Sequence, residues 1–117
     1  MTVRREDLDR GAVQFSGIAA GGQLAPVHPG EILRDEFLAP MGLSVYALAG
    51  ALKVSRARLN DLVRGRRAVT TDTALRLGRY FGTTPEFWIN LQIRYELDAS
   101  DALRTRIERE VAPRRAA

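Results

Sequence analysis

Arg56, Ala57, Arg58, Asn60, Asp61 and Arg64 fall within nine residues and lie on the opposite side of a short helical segment from Leu59, Leu62 and Val63. Arginine carries a planar fork of donors that fits guanine O6 and N7. Asparagine can pair with adenine N6 and N7, and a methyl such as that of Ala57 can meet a thymine methyl. These residue types on one short helix suit the reading of a nucleic-acid groove. The flanking sequence is basic as well. Residues 53–79 hold Lys53, Arg56, Arg58, Arg64, Arg66, Arg67, Arg76 and Arg79 against Asp61 and Asp72, an excess of six positive charges, whereas the whole chain carries only +4. Such clustering points to a polyanion-facing surface. The alternative is a solvated arginine-rich face in a chain that uses arginine in preference to lysine.

The elements that must hold these side chains are legible in LSVYALAGALKVSRARLNDLVRG, residues 43–65. Ser44 and Ser55 are helix N-caps, because a short side-chain oxygen can take an otherwise unpaired backbone N–H. Leu48, Ala49 and Leu52 recur at helical spacing in the first helix, and Leu59, Leu62 and Val63 in the second. Lys53 and Val54 leave a turn too short for the helices to lie antiparallel. Two helices so joined, the second bearing an Arg/Asn face, form a unit that can enter a major groove.

The remaining chain supplies a frame. Residues 1–27 are read as a flexible arm, with a short helix within 5–10 as an option from the alternating charges. Helix one is predicted from Pro29 to Leu38, with Glu31 in its first turn and Ile32, Leu33 and Phe37 buried; Pro40 and Gly42 stop it. Thr71 is expected to cap a fourth helix over 72–81, with Ala74, Leu77, Gly78 and Phe81 on one face, and Gly82 ends it. Thr84, Pro85 and Glu86 start a fifth helix. Residues 101–111 form a last helix with Leu103, Ile107 and Val111 at i, i+4 and i+8, followed by a frayed PRRAA end. No stretch reads as a strand. The fold class is all-α: a five-helix domain over 28–97, an arm before it, and a C-terminal helix and tail over 98–117.

Other functions find little support. The chain has no cysteine, which removes disulfides and thiolate chemistry and fits a reducing cytoplasm. The N-terminal segment lacks the apolar core of a signal peptide, and no apolar run approaches a membrane span. The single histidine, His28, precedes Pro29 and reads as a helix-start residue. Gly21 and Gly22 precede no phosphate-loop lysine, and no His/Asp/Glu set has metal-ligand spacing. Neither catalysis, a cofactor nor a metal is expected.

The helix order resembles the Cro and phage-repressor class. Four stretches narrow the likeness: HPGEIL at 28–33, VSRARLNDLVRGRRAVT at 54–70, TALRLGRYFG at 73–82 and PEFWINLQIRYEL at 85–97. Together they resemble the HigA antitoxin family across residues 28–97, with FWINLQ the most specific segment. The resemblance implies a homodimer that binds operator DNA at its own promoter. It also implies a partner, a small RelE-like toxin of HigB type that cuts messenger RNA on the ribosome. Two positions depart from the usual pattern. Lys53 stands where glycine is common, and Val45 stands where many repressors carry a phosphate-contacting glutamine. The arm before His28 exceeds the family core.

Residue roles follow from these readings. Arg56, Ala57 and Asn60 match positions at which phage-type repressors reach base edges, and Arg58 is placed for bases or backbone. Arg64, Arg66, Arg67 and Thr70 are assigned to phosphates, with Ser44, Tyr46, Ser55 and helix N-terminal N–H groups. Trp88, Leu91, Gln92 and Tyr95 share a face of helix five, which is either core or a dimer interface; they are assigned here to the interface. A toxin that approaches ribosomal RNA should be basic, which assigns its docking to Glu31, Asp35 and Glu36 or leaves those carboxylates to balance Arg34 and the helix dipole. Three readings remain open: an operator-binding antitoxin, a stand-alone repressor, and an interaction module that has lost DNA binding.

Overall fold

The structure is a computed structural model that describes residues 25–115. Most of the arm expected over residues 1–27, including the optional helix at 5–10, lies outside the described residues. Within them every regular element is a helix.

Residues 29–41 form one rod, α1. His28 caps it, its ring Nδ1 accepting from the Gly30 N–H at 2.9 Å, and Pro29 occupies the first position. The rod outruns its predicted end at Leu38. Pro29–Ile32 is α-helical, Leu33–Leu38 is wound as a π-helix, and Ala39–Met41 returns to α. Pro40 has no N–H, and its ring would crowd the carbonyl four residues back. The wider π winding lies directly before Pro40, with the Ala39 N–H reaching back to the Arg34 carbonyl, so the helix carries the proline instead of stopping at it. Gly42, at φ 61°, ends the rod.

Helix α2 is Val45–Leu52 and α3 is Arg56–Val63. Ser44 Oγ accepts from the Ala47 N–H at 3.0 Å and Ser55 Oγ from the Arg58 N–H at 3.1 Å, as the sequence predicts. Between the helices Lys53 takes the left-handed conformation, φ 61° and ψ 42°, and is the only non-glycine residue with positive φ among those described. A side chain there costs about 1 kcal/mol or more. Lys53→Gly is therefore expected to stabilise the fold by roughly 0.5–1 kcal/mol after allowing for glycine's greater freedom when unfolded, and to raise the thermal midpoint by a few degrees. Calorimetry checks this; an unchanged or lower midpoint would contradict a strained turn.

Helix α4 is Thr71–Phe81, capped one residue earlier than expected: the Thr70 hydroxyl, not that of Thr71, accepts from the Thr73 N–H at 3.3 Å. Helix α5 is Pro85–Asp98, with Thr84 as its cap. Helix α6 is Asp101–Glu110, its residues all exposed, and Val111 lies just beyond its end.

The core is built from Leu33 and Phe37 of α1, Leu48 of α2, Leu59 and Leu62 of α3, Ala74 and Leu77 of α4, and Phe87 and Trp88 of α5. Phe37 lies 4.7 Å from the ring centre of Phe81 and 5.0 Å from that of Trp88, and the Trp88 indole N–H donates to the Thr83 hydroxyl at 2.8 Å. This corrects the interface assignment. Trp88, Leu91 and Gln92 are 0 %, 7 % and 6 % exposed within a single chain, and Tyr95 is half-buried with its ring edge-on to His28 at 4.7 Å. Their stripe faces inward because α5 packs closely on α4 and also meets α1. The exposed apolar side chains at this end are Ile93 and Leu97 of α5 and Leu103 and Ile107 of α6, with Val111 next to it.

Candidate nucleic-acid interface

Three contacts set the position of α3. The first is the turn after α2, where the Val54 N–H donates to the Ala49 carbonyl at 3.1 Å. The second is the start of α1, where Gly30 meets the last turn of α3: a Cβ at Gly30 would stand 1.9 Å from the Leu62 carbonyl oxygen. The His28 ring lies beside Gly65, which has φ 77° and turns the chain out of α3. The third is the exit loop, where the Val69 N–H donates to buried Gln92 Oε1 at 2.8 Å. Gln92 thus holds, from inside, the loop that carries Arg66 and Arg67. HPGEIL thus braces α3, and FWINLQ braces the loop that follows it.

On the outer side, Arg56, Ala57, Asn60, Arg64, Arg66, Arg67 and Thr70 are exposed, as are Ser44, Tyr46 and Ser55. The two serine oxygens accept the cap hydrogen bonds, which leaves their hydroxyl protons able to donate to a phosphate. Arg66 makes no ion pair among the described residues, and Arg67 only a loose one, 4.0 Å from Asp61.

Arg58 departs from its expected role. Its guanidinium donates to Asp72 at 2.7 Å and to the Thr73 hydroxyl at 2.6 Å. Arg76 joins the same carboxylate at 2.8 Å and donates to the Leu52 carbonyl at 2.9 Å. Hydrogen bonds from Arg76 and then Arg58 hold the Asp72 carboxyl below its usual range. Arg58 thereby ties the start of α3 to α4, while Arg76 ties α4 to the end of α2. Arg56 makes no ion pair among the described residues, and its guanidinium carbon lies 4.8 Å from the Tyr46 ring centre.

The proposed acidic docking residues Glu31, Asp35 and Glu36 are all exposed on α1. Asp35 is paired to Arg34 at 2.8 Å, and that hydrogen-bonded pairing lowers its carboxyl from the ordinary range. Glu31 and Glu36 make no ion pair among the described residues. There, too, no group of His, Asp or Glu is arranged to hold a metal ion, and no helix is long and apolar enough to cross a membrane.

Sequence reasoning missed the load on His28. Burial pushes its pKa below the ordinary 6.5, opposed by nearby Glu31 and by the Arg67 backbone. Protonation would also remove the Nδ1 acceptor from the Gly30 cap. A lowered folded-state value means that the contribution is fully present above 6.5 and is lost as the pH falls through the lower folded value. Urea unfolding is expected to show stability falling as the pH is lowered below about 6.5. His28→Asn, which keeps a capping acceptor but cannot titrate, should flatten that slope; an unchanged slope would contradict this role.

A short helix with an Arg/Asn face, set by a tight turn on a second helix and braced by three more, defines a helix-turn-helix domain of the Cro and phage-repressor type. Residues 33–88 match the helix-turn-helix family model. The chain is 52 % identical over 83 residues to virulence-associated protein I of Dichelobacter nodosus, covering 71 % of this chain and 77 % of that protein. The antitoxin HigA of Pseudomonas aeruginosa, solved with the higBA promoter, superposes with a TM-score of 0.72 at 54 % identity, over 75 % of this chain and 97 % of that one. A HigA-family addiction module antidote protein from Coxiella burnetii superposes with a TM-score of 0.73 at 43 % identity, over 78 % and 100 %. The chain belongs to the HigA family of helix-turn-helix antitoxins, a family of DNA-binding regulators and not of enzymes.

Proposed function

We propose that this chain binds operator DNA as a symmetric homodimer, represses its own toxin–antitoxin operon, and neutralises a RelE-like toxin in the cytoplasm. The observation that carries the DNA reading is the exposed start of α3, where the Arg56, Ala57 and Asn60 side chains pair with no carboxylate among the described residues, with Arg64, Arg66 and Arg67 following. The relative from Pseudomonas aeruginosa, solved with its promoter, supports it. Arg56, Ala57 and Asn60 read base edges; Ser44, Ser55, Arg64, Arg66, Arg67 and Thr70 hold the backbone. Residues 28–97 form the DNA-binding unit. A single α3 reads one half-site, so two-fold recognition needs a second copy. The exposed apolar positions Ile93, Leu97, Leu103, Ile107 and Val111 take over the dimer role first assigned to the buried face of α5. Toxin docking is assigned to the acidic side of α1, chiefly Glu31 and Glu36, away from the arginine face.

Binding to DNA from upstream of its own operon tests the DNA reading. Log affinity should fall with log salt by about 0.9 per phosphate neutralised, and Arg66→Ala or Arg67→Ala should weaken all duplexes alike by reducing that slope. Paired Ile93→Glu and Leu97→Glu changes should yield monomers by light scattering. An unchanged dimer mass would move the interface elsewhere. Co-expression with the neighbouring small reading frame tests the toxin: a partner that is harmless alone, or stays toxic and unbound, would leave a stand-alone repressor.

A further inference from the structure

Arg56 and Arg58 leave the same turn of α3, and the structure gives them opposite surroundings. Arg58 is held by Asp72 and Thr73. Among the described residues no carboxylate lies within ion-pair distance of Arg56; it meets instead the Tyr46 ring from α2. Tyr46 is 68 % exposed and lies outside the hydrophobic core. A large aromatic so placed contributes little to folding. Its contact is with the side chain at the first position of the recognition helix. A guanidinium over a ring face is held in orientation while its N–H fork stays free to donate at the edge.

We propose that Tyr46 and Arg56 form one reading unit. Tyr46 acts through Arg56, limiting the guanidinium to orientations that meet the two acceptors of a guanine in the major groove, and so determines sequence choice instead of anchoring a phosphate. This rests on the operator-binding reading. It also assigns the specific purine contact to Arg56 and leaves Arg58 as a positioning residue.

The test compares the operator with a scrambled duplex of equal length at one salt concentration, using Tyr46→Ala, Tyr46→Phe, Arg56→Ala and the Tyr46/Arg56 double variant. Circular dichroism should show all of them folded, since both side chains are exposed. Tyr46→Ala is expected to lose about 2- to 5-fold on the operator, the scale of an exposed cation–π contact, with little change on the scrambled duplex. Tyr46→Phe, which keeps the ring, should bind like wild type. In the Arg56→Ala background the loss of the ring should have no further effect. Operators with 7-deazaguanine, scanned through the site, should include one position that weakens wild type but not Arg56→Ala. If Tyr46→Phe is as damaging as Tyr46→Ala on both duplexes, the phenol holds a phosphate and the proposal is overturned. Additive effects in the double variant would also overturn it. Wild-type protein that binds both duplexes alike would instead remove the operator reading beneath it.

Discussion

Trp88→Ala is expected to abolish most folded structure near 37 °C. The indole is fully buried against Phe37, Phe81 and Phe87, and its N–H satisfies Thr83. Truncating a buried Trp costs about 3–5 kcal/mol, and the orphaned Thr83 hydroxyl adds roughly 1–3 kcal/mol unless water reaches it. Domains of this size have only about 5–15 kcal/mol in total. Far-UV circular dichroism and urea unfolding read the outcome, with light scattering to distinguish the two roles this residue was offered. A core tryptophan gives loss of helix and a collapsed unfolding midpoint. A variant that kept its helix content and became a clean monomer would restore Trp88 to the interface and contradict the packing described above.

Gly30→Ala is the second large effect, and its origin is backbone contact. The new Cβ would fall 1.9 Å from the Leu62 carbonyl oxygen. That oxygen sits in the last turn of α3 and accepts from the Gly65 N–H at 3.0 Å, so it cannot withdraw without disturbing the exit loop. The start of α1 must move away instead, which weakens the His28 cap and the brace on α3. A destabilisation of about 3 kcal/mol is expected, at the upper end of overpacking, with operator affinity falling as well. Gly50→Ala is the control, since a Cβ there meets nothing within 4 Å. It should be neutral or stabilise by roughly 0.5–1 kcal/mol through helix propensity. Equal stabilities for the two variants would contradict a close approach at Gly30.

The helices and their caps were readable because they depend on local chemistry. Ser44, Ser55 and Thr84 cap as their types suggest, and Gly42 and Gly82 end helices in left-handed conformations. The exposed polar face of α3 was readable because its apolar stripe fixed which side is inward. What escaped depends on partners distant in sequence. Periodicity placed Trp88, Leu91, Gln92 and Tyr95 on one face but could not say whether that face meets the same chain or another; Gln92 bonding to Val69 decides it. Arg58 looked like a contact to bases or backbone because Asp72, which holds it, lies fourteen residues away. Pro40 looked like a stop because a π winding that carries a proline has no sequence signature. The role of Gly30 was hidden because close helix approach is a property of two backbones.

Footprinting of the DNA upstream of its own operon tests the central claim, that a pair of α3 helices reads a two-fold operator. Two protected major-groove patches are expected, centred roughly 34–36 Å apart, or about one helical turn, with guanine N7 shielded from methylation in each patch by wild type and exposed again with Arg56→Ala. Protection spread evenly along any sequence, or a pattern unchanged by Arg56→Ala, would contradict it.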